Sequence, residues 1–471
     1  MPLDHGAHQE TPMPYQAESG DIRMALVGDA MLARALRPHR EPEWRSLVET
    51  LQRSDFAFAN LETTVRHERE GWANFTQGTP MSTPAALVEE LRWLGIDIVS
   101  VANNHVTDYG PSGLEACLGH LRAAGLPHAG AGLTLTEARR PGYVDTAAGR
   151  VALVAATSFF RPWNRAADSR PDSPGRPGIN PLGFSTGYTV DAASLVALRT
   201  ISDRLGLTQE RARHRAQFYS ATEAPQDDVD SLVLLGSRFR RGADFAVHTR
   251  VDARDAEANL ASIREARKQA DWVVFSFHNH EFGAAGRLAA ATEVELGETA
   301  AFCVDFARAA IDAGADVVVG HGPHLTMGVE IHRGRPILYS LGNFLFQNET
   351  IDAFPAEAYE RFGLGLSAKP SDFLDARTGH DTRGFPASPE FWHGCLAECE
   401  FQRGRLAGLR LVPLDLGHGR PRAQRGRPLQ AQGVVAAQVL ARMQSLSKVF
   451  GTEIELDGDT GLVRLPVQAD R

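Results

Sequence analysis

The stretch Ile22-Arg23-Met24-Ala25-Leu26-Val27-Gly28-Asp29 decides how the rest of the chain is read. It is short and almost wholly apolar, and it ends in a glycine followed by a carboxylate. A run of that kind is the signature of a strand buried on both faces, as in a sheet covered by helices. Outward from it the same rhythm recurs. A helix is predicted over residues 42–52, a strand over 56–61 and a helix over 84–94, where Leu87, Leu91 and Leu94 share a face. A strand over 96–102 and a helix over 113–124 follow. Strands alternating with helices at this spacing imply parallel or mixed sheets with helices outside them, an α/β fold.

Strands at 143–145 and 151–155 read as a meander, after which the rhythm breaks. Residues 161–250 are rich in Arg, Pro, Gly and Asp, with few strand signals and some short helices. An irregular segment this long inside a domain is more often a functional cap than an idle loop. The rhythm resumes with a helix at 253–269, strands at 272–277 and 316–320, and a helix at 299–313 between them. Two strands, 328–331 and 336–340, flank the Arg333-Gly334 turn. Residues 349–390 form a second irregular insertion. Residues 391–471 complete the domain as a small α+β extension. In it a hairpin turns through Arg403-Gly404, and a helix at 433–450 precedes two short strands. Residues 1–20 lack any hydrophobic period and are expected to be a loose arm before a main domain over 21–348.

Composition bounds the function. The 471 residues are 43% hydrophobic and 23% charged, an ordinary globular balance. A net charge of -9, without long single-sign blocks, argues against a nucleic-acid binder, which needs a basic face. Four cysteines cannot make a disulfide framework, and Cys395 and Cys399 are expected to be buried thiols. No apolar run approaches the ~20 residues of a membrane span, and no secretory signal opens the chain, so a cytoplasmic setting is expected. Trp72, Trp93, Trp163, Trp272 and Trp392 are expected to pack, with Trp163 the candidate for a substrate contact.

The chemistry gathers at strand ends, where open α/β sheets place their sites. The ends carry Gly28-Asp29, Asn60-Leu61-Glu62, Asn103-Asn104-His105, His278-Asn279-His280-Glu281 and His321-Gly322-Pro323-His324. Singly, each has an ordinary explanation: a helix cap for Asp29, a surface carboxylate for Glu62, turn residues for Asn103 and Asn104. Jointly they offer carboxylates, an amide and imidazoles, the mixture a divalent Mn, Fe or Zn ion accepts. One or two such ions are expected. His105 is the candidate proton carrier, since imidazole titrates near neutral pH, and His280 is a second candidate, either as a ligand or as the partner proton carrier. Asp108, three residues on, could orient His105 or simply shape the Thr107-Asp108-Tyr109-Gly110 turn.

GDAML, FANLET, SVANNHVTDYG, HNHEF, GADVVVGHGPH and YSLGNF stand in the order and spacing of the capsule-synthesis CapA-like proteins, which the chain resembles. That family is similar in fold to the calcineurin-like metallophosphoesterases. The resemblance therefore implies a sandwich of two mixed sheets flanked by helices. It also implies Asp29 as first metal ligand, Glu62 as bridging carboxylate and Asn104 as amide ligand. His105 becomes the proton-transfer group, with His278, His321 and His324 as imidazole ligands. Met31 stands where the phosphoesterases have a histidine, so one metal position lacks a ligand. The implied substrate is an anionic peptide-like polymer, poly-γ-glutamate, worked on by a metal-dependent hydrolase or transferase. Peptide Cα epimerisation by two opposed histidines, and a non-catalytic scaffold in polymer biosynthesis, are the alternatives. Arg161, Arg165, Arg170 and Arg176 are candidate anion contacts on a lid formed by 161–250.

Overall fold

The computed structural model describes residues 20–74, 78–217, 227–283 and 298–466. The expected arm thus lies outside the described residues, apart from Gly20. The chain divides into two compact units. The first takes the described parts of 1–182, 254–279 and 307–471, and the second those of 183–253 and 280–306.

In the first unit, Ile22–Met31 lies inside a ten-stranded sheet, with only Arg23 exposed along it. It pairs in parallel with Phe56–Asn60 and Asn343–Phe346, and antiparallel with His393–Gln402. Ile98–Ser100 and His128–Ala129 extend the sheet beyond Phe56–Asn60. On the other side come Arg405–Asp415, Thr460–Val463 and Ile454–Asp457. A second, six-stranded sheet runs Val329–His332, Arg335–Leu338, Val317–His321, Trp272–His278, Gly149–Thr157, Gly142–Thr146. Its central strands are parallel and each edge is closed by an antiparallel hairpin.

Side chains alternate across a strand, and here both faces find apolar partners. Ala25 and Val27 join a cluster with Trp44, Leu47 and Leu51 of the helix Pro42–Arg53 and with Leu114, Leu118 and Leu121 of Gly110–Ala123. Met24 and Leu26 join the other cluster, with Leu153, Trp272, Val274, Val317 and Val319 of the second sheet. Two mixed sheets thus share one core. Phe56, Phe58 and Trp272 are fully buried there, and the Trp272 and Phe401 rings lie 5.2 Å apart. Each such side chain contributes about 1.5–3 kcal/mol of burial.

The second unit corrects the reading of residues 161–250 as poor in strands. It holds a four-stranded sheet in the order Ser231–Leu234, Ser237–Arg241, Phe184–Val190, Ala246–Val251. The helices Ala192–Arg204 and Leu207–Gln217 accompany it. Its small core is Val190, Leu195 and Leu232, and Phe184 stacks on Phe302 at 4.4 Å. Residues 161–182 belong to the first unit, so the division falls later than the expected boundary. Nor are residues 349–390 without helices: Ala356–Glu360 and Pro370–Thr378 form there. All four cysteines are free and buried, Cys395 and Cys399 as expected. No described helix is long and apolar enough to cross a membrane. Trp272 and Trp392 pack as expected, whereas Trp72 and Trp163 are exposed.

Candidate metal centre

Strand register assembles the cluster. Asp29 stands opposite Asn60 on one neighbouring strand and Asn343 on the other, with irregular register beside it on both sides. His278 and His321 are register partners at the carboxyl ends of two parallel strands of the second sheet. Asp29 lies within its strand rather than after it, because the strand runs on to Met31. Glycine permits the close approach this demands. A Cβ on Gly28 would sit 1.9 Å from the Gly342 carbonyl oxygen, and one on Gly322, at φ +109°, 2.4 Å from that of Asn279. The Gly322 N–H donates to Asp29 Oδ2 at 3.0 Å. His324, at φ +60°, holds a left-handed conformation that costs a non-glycine residue energy, as residues at functional sites often do.

Among the groups of ligand atoms whose members all lie within 4.8 Å of one another are Asp29 with His278 and His321, and Asp29 with Glu62 and His324. From Asp29, the nearest imidazole nitrogens of His324 and His321 lie at 3.4 and 3.6 Å. His278 Nδ1 is 3.9 Å from Asp29 and its Nε2 3.6 Å from Glu62. Asn104 Oδ1 lies 2.8 Å from His278 Nε2, which brings the expected amide to the same place. Asp29, Glu62, His278 and His321 are all fully buried.

The electrostatics of the two carboxylates differ sharply. Burial pushes the Asp29 carboxyl up, but His324, His321 and the Asn60 amide together bring it down to about 2. Asn60 Nδ2 donates to Asp29 Oδ1 at 2.8 Å. Glu62 has no such help. Among the described residues neither of its oxygens finds a hydrogen-bond donor in the geometry, and burial, then the charge of Asp29, raise its pKa well above the usual carboxylate range. Burial lowers His321 to about 4, against the pull of Asp29. A buried carboxylate with no donor, facing imidazole nitrogens, is a poor arrangement for a protein alone. It suits a site that gathers ligands around a cation, and the donor set of carboxylates and imidazoles fits a divalent ion.

His105 stands at the rim, its Nε2 3.9 Å from Glu62. Its Nδ1 is 2.6 Å from Asp108 Oδ2, which also accepts the Met81 N–H at 2.7 Å. Asp108 therefore orients His105 and shapes the turn as well, its own N–H donating to the His105 carbonyl at 3.1 Å. His280 is buried where the chain enters the second unit, and it is one of the histidines able to offer a ligand atom. Arg165 is engaged elsewhere: its guanidinium grips Asp255 through two bonds of 3.0 and 2.9 Å. Arg170 pairs with Asp172, and Arg176 donates to the Arg165 carbonyl.

Sequence reasoning missed the residues that hold the ligands in place. Asn60 bonds Asp29, and Asn103 donates to Asn60 Oδ1 at 3.2 Å. Ser276 Oγ lies 2.6 Å from His321 Nε2, and Asn343 Oδ1 3.0 Å from His324 Nδ1. Such partners fix ring orientation and tautomer. Asn60 and Asn343 sat inside FANLET and YSLGNF, which signalled them without assigning a role.

Fold and cluster together define an α/β protein with a buried carboxylate–imidazole centre suited to a divalent ion. Residues 23–348 match the model of a family described as bacterial capsule synthesis protein PGA_cap, and the chain belongs to that family. Two uncharacterized proteins of Sinorhizobium fredii (strain NBRC 101917 / NGR234), y4uA and y4sH, are each 33% identical over 461 residues, covering 94% of this chain and 93% of the relative. The capsule biosynthesis protein CapA of Bacillus anthracis is 22% identical over 335 residues, 70% of this chain and 61% of that protein.

Proposed function

We propose that the chain is a metal-dependent hydrolase or transferase acting on a γ-glutamyl or other anionic peptide-like substrate. The observation that carries this reading is Glu62, buried without a hydrogen-bond partner between Asp29, His278 and His324. The shared core of the two mixed sheets supports a metallophosphoesterase-like sandwich. The substrate class follows from the relatives named for capsule and PGA biosynthesis.

Asp29, Glu62, His278, His321 and His324 would hold the ion or ions, with Asn104 beside them. Mn, Fe or Zn in that setting supplies Lewis-acid polarisation and eases deprotonation of water. The remaining work belongs to the chain. Asp108 accepts from Nδ1 of His105, which leaves Nε2 as the atom that takes and returns a proton. Burial of the cluster lowers the local dielectric, so the fixed dipoles of Asn60, Asn103 and the Gly322 N–H act at full strength. Hydrolysis is preferred to epimerisation because both histidines of the GHGPH loop are engaged, His321 by Ser276 and His278 and His324 by Asn343. That leaves the proton-carrier role to His105, with His280 the second candidate.

The test is release of glutamate from γ-glutamyl oligomers by the metal-loaded protein and by Asp108→Asn and His105→Gln. Turnover lost in both variants, with metal content kept, supports the reading. Equal turnover in all three would sink it.

A further inference from the structure

Beside the centre lies a cavity of about 320 Å³, at the small end of the range for ligand pockets. Three contacts tie it to the centre. Phe385, in its wall, meets His324 edge-on with ring centroids 5.4 Å apart. The carbonyl of Phe391, also in the wall, accepts from Asn343 Nδ2 at 2.8 Å, and Asn343 in turn bonds His324. Thr79 lines the cavity two residues before Met81, whose N–H binds Asp108.

The charges in this cavity do not balance. Glu349 is the one carboxylate in the wall, and it is already engaged by Arg425 and Arg422. Arg377 donates to Thr79 Oγ1 at 2.7 Å, and Arg383 donates to the backbone carbonyls of Arg377 and Ala376. Among the described residues neither guanidinium is in an ion pair. Asn348 adds a buried side-chain oxygen with no hydrogen-bond partner among the described residues. Two unpaired guanidiniums and an unused acceptor ask for a ligand with an anionic group and an N–H donor. Burial, and then the charge of Arg361, lower the Arg377 pKa while leaving it charged, a cost an incoming anion would relieve.

We propose that this cavity is the subsite that holds a substrate carboxylate, with Arg377 and Arg383 as its cationic partners and Asn348 accepting an amide N–H. A γ-linked glutamyl unit presents both groups close together. Naming that unit rests on the proposed function, whereas the anion site itself rests on the cavity. Most of its wall, from Leu374 to Phe391, lies beyond residues 23–348, the part that matches the family model. The subsite is therefore a specificity element carried by the chain after the family's common frame.

The test is calorimetric binding of γ-glutamylglutamate to the full chain, with metal removed by EDTA. Wild type should bind. Arg377→Gln and Arg383→Gln should each weaken binding by about tenfold, the loss of one charge-assisted bond. Arg383→Lys, which keeps the charge on an exposed side chain, should retain most of the affinity. The same dipeptide with its carboxylates converted to amides should bind weakly to every form. Circular dichroism and metal content, unchanged in the variants, separate this effect from misfolding. No binding to wild type, or wild-type affinity in the double Arg377→Gln/Arg383→Gln variant, overturns the proposal. Arginine-dependent binding without any turnover would leave the subsite standing and remove the hydrolytic reading alone.

Discussion

Replacing Glu62 by glutamine should stabilise the protein without metal and destabilise it with metal. In the metal-free protein the Glu62 carboxyl is buried, has no donor and feels the charge of Asp29, so its pKa lies well above the usual 4.5. A carboxyl whose folded pKa is raised holds its proton more tightly folded than unfolded. Its contribution is then intact below pH 4.5 and falls as pH rises toward the folded value. An unpaired buried carboxylate costs roughly 3–5 kcal/mol, against about 1–3 kcal/mol for an unsatisfied neutral amide. Glu62→Gln in EDTA at pH 8 should therefore gain about 2 kcal/mol over wild type. Metal at a hundred times its dissociation constant adds about 3 kcal/mol to wild type and little to the variant. The order of stabilities should invert. All six tryptophans lie in the first unit, so their fluorescence during urea unfolding reports on the unit that holds the site. A variant no more stable than wild type in EDTA, or one stabilised equally by metal, would refute the reasoning.

Other outcomes follow from the same geometry. In metal-free Glu62→Gln, stability should fall as pH drops from 6.5 toward about 4, because His321 is held neutral in the fold and charges first when unfolded. The loss is on the order of 3 kcal/mol, read from urea midpoints across that window, and a flat profile would contradict it. Asp108→Asn should lower turnover of the metal-loaded protein by about 10²–10⁴-fold and alter its pH–rate profile, since the carboxylate that orients His105 is gone. Gly28→Ala would place a carbon 1.9 Å from the Gly342 oxygen. It should cost about 3 kcal/mol or more, or prevent folding, as soluble yield and unfolding midpoint would reveal.

Much of this was legible in the chain because buried strands and their polar ends are local signals. The run from Ile22 to Asp29 announces a doubly buried strand, and the histidines after Phe277 and Gly320 announce a site. The register that seats Asp29 beside Asn60 and Asn343 is not local, since Asn343 lies more than three hundred residues further along the chain. Asn60 and Asn343 therefore passed as motif residues. The sheet of the second unit escaped for another reason. Its strands, such as Ser-Arg-Phe-Arg-Arg over 237–241, are half-exposed and charged, so no apolar run marks them. Tertiary pairing there overrides composition. Arg165 was a candidate anion contact from composition alone, and only the fold shows Asp255 already in its grip.

The central claim, a divalent ion held between Asp29, Glu62 and the three histidines, is tested most directly by elemental analysis of the purified protein and of Asp29→Ala and His321→Ala. Stoichiometric Mn, Fe or Zn in wild type, lost in both folded variants, is the predicted result. Wild type that takes up no metal after reconstitution, or variants that keep it in full, would contradict the account.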